Sequence, residues 1–169
     1  MRLSVDNINK ESPYWVIQLD DMQFRFRTSA GTVYHIGFSP DSYFMPGYAY
    51  HFHISSNDDH APKDPCVIKV ITCVIEEFFR NNTSVMLYIC DSYDNRELTR
   101  ANLYKRWFDN YPHKDQLILR TAEIQFNENC VYSGMIIRKD NPNNEKIIEN
   151  FDYFIDVVPS LYPYFDQNK

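Results

Sequence analysis

The sequence predicts an α+β protein, in which a mixed, mostly antiparallel sheet of about seven strands carries three helices. Three observations predict this class. Apolar and polar residues alternate through the first third, a helical pattern follows Asp64, and the continuous apolar run VMLYIC comes next. A length of 169 residues is typical of one domain. We therefore expect a single domain over residues 1–169, with a polar N-terminal extension at 1–12 and an aromatic tail at 159–169.

The first third predicts an antiparallel meander of four strands. Polar turns separate the predicted strands, which cover residues 14–19, 22–28, 32–38 and 48–55. In the second of them, Phe24 and Phe26 alternate with Arg25 and Arg27. Successive side chains of a strand point to opposite faces, so this alternation predicts one aromatic face and one polar face.

The order β-α-β-α-β-β is predicted for the rest of the sheet. Asp64 is a good N-cap and Pro65 suits a first helical position, which predicts a largely buried helix over 66–80. The apolar run at 85–90 is typical of a central strand that is covered on both faces. A second helix (95–110), a hairpin (116–126 and 131–139) and a third helix (145–158) follow.

Composition excludes several classes of function. A net charge of −6 argues against binding of duplex nucleic acid, whose affinity comes mostly from Lys and Arg. The chain has only four glycines and lacks the usual phosphate-binding loops and nucleophile elbow. We therefore expect no cofactor and lean towards a protein that is not an enzyme.

The cysteine spacing and the absence of long apolar runs point to the cytoplasm. The four cysteines form no C-x-x-C pair, so neither a zinc ribbon nor a thioredoxin-type motif is predicted. The polar start MRLSVDNINKES has no apolar core of a signal peptide, and no run approaches the length of a membrane span. We expect free cysteines, no membrane association and a cytoplasmic location.

The first candidate site is the corner where the apolar strand ends and the second helix begins. Asp91, Asp94, Arg96 and Arg100 cluster there. Helix N-termini attract anions, and two arginines one turn apart can hold a carboxylate or phosphate. There is a structural alternative, in which Asp94 and Glu97 form a capping box and Asp91 pairs with one of the arginines.

The second candidate site is the polar face of the meander. If its strands are neighbours, one face carries Arg25, Arg27, His35, His51 and His53. Such a face can form a groove for an anion. It can also be an ordinary solvent-facing surface. A metal pair at His51 and His53, with nearby Asp58, Asp59 and His60 as further ligands, is a third reading; we predict no metal.

Two resemblances extend these interpretations. The segment YICDSYDNRELTRANLYKRWF, with RKDNPNNEKIIENF after it and RTSAGTVYHIGF before it, resembles a family of small uncharacterised bacterial proteins. This resemblance covers most of the chain. It implies no established activity.

The element order from residue 48 to residue 139 is similar to the acyl-CoA-binding half of the N-acetyltransferase superfamily. Asn95, Ala101, Tyr104 and Phe108 resemble positions of its late helix, although Trp107 stands where glycine is usual. The family's glycine-containing pyrophosphate loop is replaced by NDDHAPKDP, whose aspartates would repel a pyrophosphate. The resemblance therefore implies the topology without the cofactor site.

We interpret the chain as a cytoplasmic domain that binds a protein or a small anionic ligand without catalysis. The binding surface would be the polar face of the meander or the corner around Arg96 and Arg100. The alternative is a diverged acyl-CoA-dependent N-acyltransferase-like protein. Neither the oligomeric state nor the identity of the ligand follows from the sequence.

Overall fold

The computed structural model describes residues 1–58, 60–80, 83–90, 95–126 and 129–165. It confirms the α+β class, with seven strands in a mixed, mostly antiparallel sheet. The described helices are α1 (Val5–Asn9), α2 (Pro65–Arg80), α3 (Glu97–Asp109) and α4 (Asn144–Phe165). The strands are β1 (Val16–Gln18), β2 (Gln23–Arg27), β3 (Val33–Pro40), β4 (Ala49–Ser56), β5 (Val85–Cys90), β6 (Leu117–Phe126) and β7 (Asn129–Arg138).

The chain divides into two compact units. Unit 1 comprises residues 1–40 and 50–84, and unit 2 comprises residues 41–49 and 85–169. The single-domain organisation expected from the chain length stays a prediction.

Unit 1 contains the predicted meander, in which β1, β2, β3 and β4 pair in sequence order and antiparallel. Its inner face is aromatic: Phe24, Phe38 and Phe52 are buried there. α2 covers this face, and the ring of Phe78 stacks on that of Phe38 with centroids 4.3 Å apart. The burial of these large rings stabilises the unit.

The polar extension predicted at residues 1–12 needs correction, because this segment contains α1 and buries Leu3 and Ile8. Ser4 caps α1 by accepting a hydrogen bond from the backbone N–H of Asn7. The buried carboxylate of Glu77 on α2 accepts a hydrogen bond from the backbone N–H of Ser4 at 3.0 Å. A helix of five residues is too short to produce a recognisable period, so its contacts with α2 stabilise it.

Unit 2 is built on an antiparallel sheet in the order β5-β7-β6. Leu87 and Met135 are register partners on one face, where they pack with Ile147 and Phe151 of α4. The other face carries Tyr88, whose ring stacks on that of Tyr104 in α3 with centroids 4.6 Å apart. β5 therefore lies between two helices, as its continuous apolar sequence predicts.

The helices of unit 2 differ from their predicted limits. α4 continues to Phe165, seven residues beyond its predicted end, so most of the predicted aromatic tail is helical backbone. α4 contains Pro159 and Pro163. Proline fixes φ near a helical value, so the backbone passes each of them at the cost of one helical hydrogen bond. α3 begins at Glu97 rather than at residue 95. Among the described residues, no helix combines the length and the hydropathy that a membrane crossing needs.

Candidate functional site

The polar side of the meander is a sheet face that α2 does not cover, and we call it the open face. The register aligns Arg25 with His35 and Ser55 across three strands. In the neighbouring row, Gln23, Gly37 and His53 are partners. Side chains two residues apart in a strand lie on the same face, so Arg27 shares the face of Arg25, and His51 shares that of His53. All five residues predicted for this surface therefore lie on the open face.

Large apolar side chains border the cationic ones on the open face. Trp15 is 74% exposed, Ile17 44% and Leu19 50%. Ile17 is the register partner of Arg25, so an apolar and a cationic side chain stand side by side. A shallow groove of about 420 Å³ runs between them and is lined by Trp15, Ile17, Arg25, Phe26, Arg27 and Val33.

The two arginines of this groove are exposed, and neither forms an ion pair with a described residue. Salt bridges elsewhere in the described chain join Arg80 to Glu77 and Arg120 to Asp152, whereas Arg25 and Arg27 contact no described carboxylate. Their charge is therefore available to a ligand.

His53 is held by a specific contact. Its Nε2 lies 2.8 Å from Oε1 of Gln23, whose Nε2 donates to the carbonyl of Phe38 at 2.7 Å. The Gln23 side chain crosses β3 over Gly37, where any larger residue would overlap it. Burial lowers the pKa of His53, which favours the neutral ring. In the described part of the chain, no three His, Cys, Asp or Glu side chains form a group that could hold a metal ion.

The predicted corner is only partly visible, because Asp91 and Asp94 lie outside the described residues. Arg96 is the N-cap residue of α3, and its side chain makes no capping hydrogen bond. A capping box between residues 94 and 97 would need Glu97 at the third helical position, but Glu97 is the first residue of α3. Its buried Oε2 has no hydrogen-bond partner among the described atoms.

A second concave site, which we call the α3 cleft, lies in unit 2. It has a volume of about 340 Å³ and is lined by Tyr88, Leu98, Asn102, Lys105, Glu123 and Tyr132, among others. These residues come from β5, α3, β6 and β7. The sequence does not reveal this site, because only tertiary packing brings residues so far apart in the chain together.

Hydrogen bonds at one end of the cleft link Tyr132, Cys130 and Glu123. Burial is the largest cause of the raised pKa of the Cys130 thiol, and the charges of Glu123 and Glu97 add to it. The hydrogen bond to Cys130 and the same two charges raise the pKa of Tyr132. This end of the cleft is therefore electronegative, and its thiol is a poor nucleophile.

The N-terminus of α2 is already occupied by a carboxylate of its own chain. Asp64 Oδ1 accepts a hydrogen bond from the backbone N–H of Cys66 at 2.8 Å. Asp64 Oδ2 accepts another from the hydroxyl of Tyr14 at 2.6 Å. The hydrogen bond from Tyr14 is the largest cause of the lowered pKa of Asp64. A negative group at this position opposes the binding of a phosphate.

Fold and sites together define an α+β protein with an exposed basic sheet face and a separate cleft of small-molecule size. Residues 63–153 match a family described as "Family of unknown function (DUF6169)", and the chain belongs to that family. The matched segment contains every residue that lines the α3 cleft, whereas the open face precedes it. The comparisons found no matching curated protein and no matching solved structure.

Proposed function

We propose that this protein is a non-enzymatic binding domain whose open face holds an acidic segment of a partner protein. The observation that carries the proposal is the pair Arg25 and Arg27, which is exposed, has no described carboxylate partner and lies beside the exposed Trp15. An arginine side chain can bind a carboxylate through two parallel hydrogen bonds.

The apolar border of the arginines favours a protein partner over a small anion. Trp15, Ile17 and Leu19 are exposed on the same short strand or beside it. Tryptophan and arginine dominate the energetic centres of protein interfaces, because both combine a large contact area with a polar group. We therefore expect the bound segment to carry apolar side chains next to its carboxylates.

Selection of peptides from a displayed random library tests the proposal. We expect the enriched sequences to combine Asp or Glu with aromatic or aliphatic residues. Fluorescence polarisation of one enriched peptide should then show that Arg25→Gln/Arg27→Gln weakens binding at least about tenfold.

The matched control is Lys139→Gln/Lys146→Gln, which removes the same charge from exposed positions of unit 2. This control should bind the peptide as the unsubstituted protein does. Enrichment of neutral or basic peptides, or equal weakening by both double variants, would contradict the proposal.

An acyl-CoA-dependent function is the second candidate, and the order β4-α2-β5-α3-β6-β7 favours it. The carboxylate of Asp64 at the start of α2 weakens it, because acyl-CoA carries a pyrophosphate. Acetyl-CoA should therefore leave the melting temperature unchanged, and a clear rise would favour this candidate over the binding domain.

A further inference from the structure

The α3 cleft brings two opposite charges to one small site without pairing them. Lys105 of α3 and Glu123 of β6 both line it. Among the described residues, Lys105 has no ion pair, and Glu123 is linked only to the Cys130–Tyr132 pair. The two opposite charges line one site from α3 and from β6 and leave each other unpaired, so a ligand that bears both charges fits the arrangement.

Two glutamates lie near one end of this cleft, and Glu123 lines it. The negative charges of Glu97 and Glu123 help to raise the pKa of both Cys130 and Tyr132. The charges of the two carboxylates favour a cationic ligand group at this end of the cleft. The ring of Tyr132 adds a favourable surface for a cation.

Part of the remaining lining is apolar. Leu98 and Ala101 of α3 line the cleft, and Tyr88 lies between α3 and the sheet. A volume of about 340 Å³ accommodates a molecule of amino-acid size but not a nucleotide cofactor.

We propose that the α3 cleft binds a small zwitterion, namely a free α-amino acid with an apolar side chain. Its ammonium group lies at the end with Glu123 and Tyr132, its carboxylate faces Lys105 and Asn102, and its side chain contacts Leu98 and Ala101. This site is separate from the open face, so its existence does not depend on the function proposed above.

Thermal shift and calorimetry of the full chain with three related compounds test the proposal. L-Leucine should raise the melting temperature by about 2–4 °C at roughly five times its Kd. N-acetyl-L-leucine lacks the ammonium charge, and L-leucine methyl ester lacks the carboxylate. Each of these two compounds should therefore raise the melting temperature much less than L-leucine does. These comparisons use the unsubstituted protein and are therefore independent of whether a variant folds.

Two single variants then locate the site. Glu123→Gln and Lys105→Met should each weaken leucine binding at least about tenfold. Glu149→Gln and Lys146→Met, at exposed positions of α4, should leave it unchanged. Absence of a shift with L-leucine at about 10 mM, equal shifts with all three compounds, or equal weakening by the α4 variants would overturn the proposal.

Discussion

Gly134 is the residue of β7 for which the structure leaves no room for a side chain. It is the register partner of Tyr88, and the Tyr88 ring occupies the space that a Cβ atom would need. The ring also stacks on Tyr104 of α3, so the glycine lets an aromatic pair connect the sheet to the helix. Burial raises the pKa of Tyr88 to about 12, which keeps its hydroxyl neutral at physiological pH.

Gly134→Ala should therefore destabilise the protein by about 1–3 kcal/mol, because overpacking a buried site forces neighbouring side chains to move. Chemical denaturation measures the loss. The same substitution in a Tyr88→Ala background should cost less, since the overlapping ring is gone.

Gly31→Ala is unsuitable as a control because Gly31 has a positive φ. Ala122→Gly reports instead the cost of an ordinary change between glycine and alanine in β6. An equal cost of Gly134→Ala in both backgrounds would contradict the role of the ring.

At the residue scale, the sequence predicted which side chains share the open face and missed how they contact one another. Period-2 alternation assigns Arg25, His35 and His53 to one side of a sheet whatever their neighbours are. The contact between His53 and Gln23 requires Gly37 between them, and only the strand register reveals that row. The exposure of Trp15 depends on what packs against β1, which alternation does not encode.

At the element scale, Asp64 connects the start of α2 to the rest of unit 1. Its two carboxylate oxygens accept hydrogen bonds from the backbone of Cys66 and from the hydroxyl of Tyr14. The first hydrogen bond caps the helix, and the second connects it to the segment before β1. These contacts favour the ionised form and lower the pKa of Asp64.

Asp64→Ala should lower the melting temperature at neutral pH, whereas Asp64→Ser should retain part of the cap. A carboxyl group whose pKa is lower in the folded state stabilises that state above its unfolded pKa, near 3.8. This contribution is lost as the pH falls through the lower folded value. The difference in melting temperature between Asp64→Ala and the unsubstituted protein should therefore shrink in acid. A constant difference from pH 7 to about pH 3 would contradict a role for the ionised cap.

The elements with strong local signals were predicted best. β5 has its predicted limits, because a continuous apolar run between polar residues defines both of its ends. α2 starts one residue before its predicted limit, at Pro65, because Asp64 and Pro65 are themselves start signals. α1 was missed because five residues carry little periodicity, and the end of α4 was misplaced because a proline usually ends a helix.

At the scale of the whole molecule, an acidic chain presents a local basic surface. The net charge is −6, whereas the groove of the open face is lined by two arginines and by no carboxylate. This contrast is predictable from the sequence, because charge and alternation are both local properties. The α3 cleft is not predictable from the sequence, because its lining comes from four elements that only the folded chain brings together.

The contrast between the acidic chain and its basic open face predicts that salt has opposite effects on two forms of the protein. For the unsubstituted protein, binding of the acidic peptide should weaken by about twofold to thirtyfold from low to high salt, if two exposed ion pairs each contribute about 0.2–1 kcal/mol. Arg25→Gln/Arg27→Gln makes the net charge −8, since two of the 17 cationic residues are lost against 23 acidic ones. Long-range repulsion then dominates, so its residual binding should strengthen slightly as salt screens it. Fluorescence polarisation across a salt series measures both slopes. Parallel slopes for the two proteins would mean that the arginines do not make the contacts with the peptide.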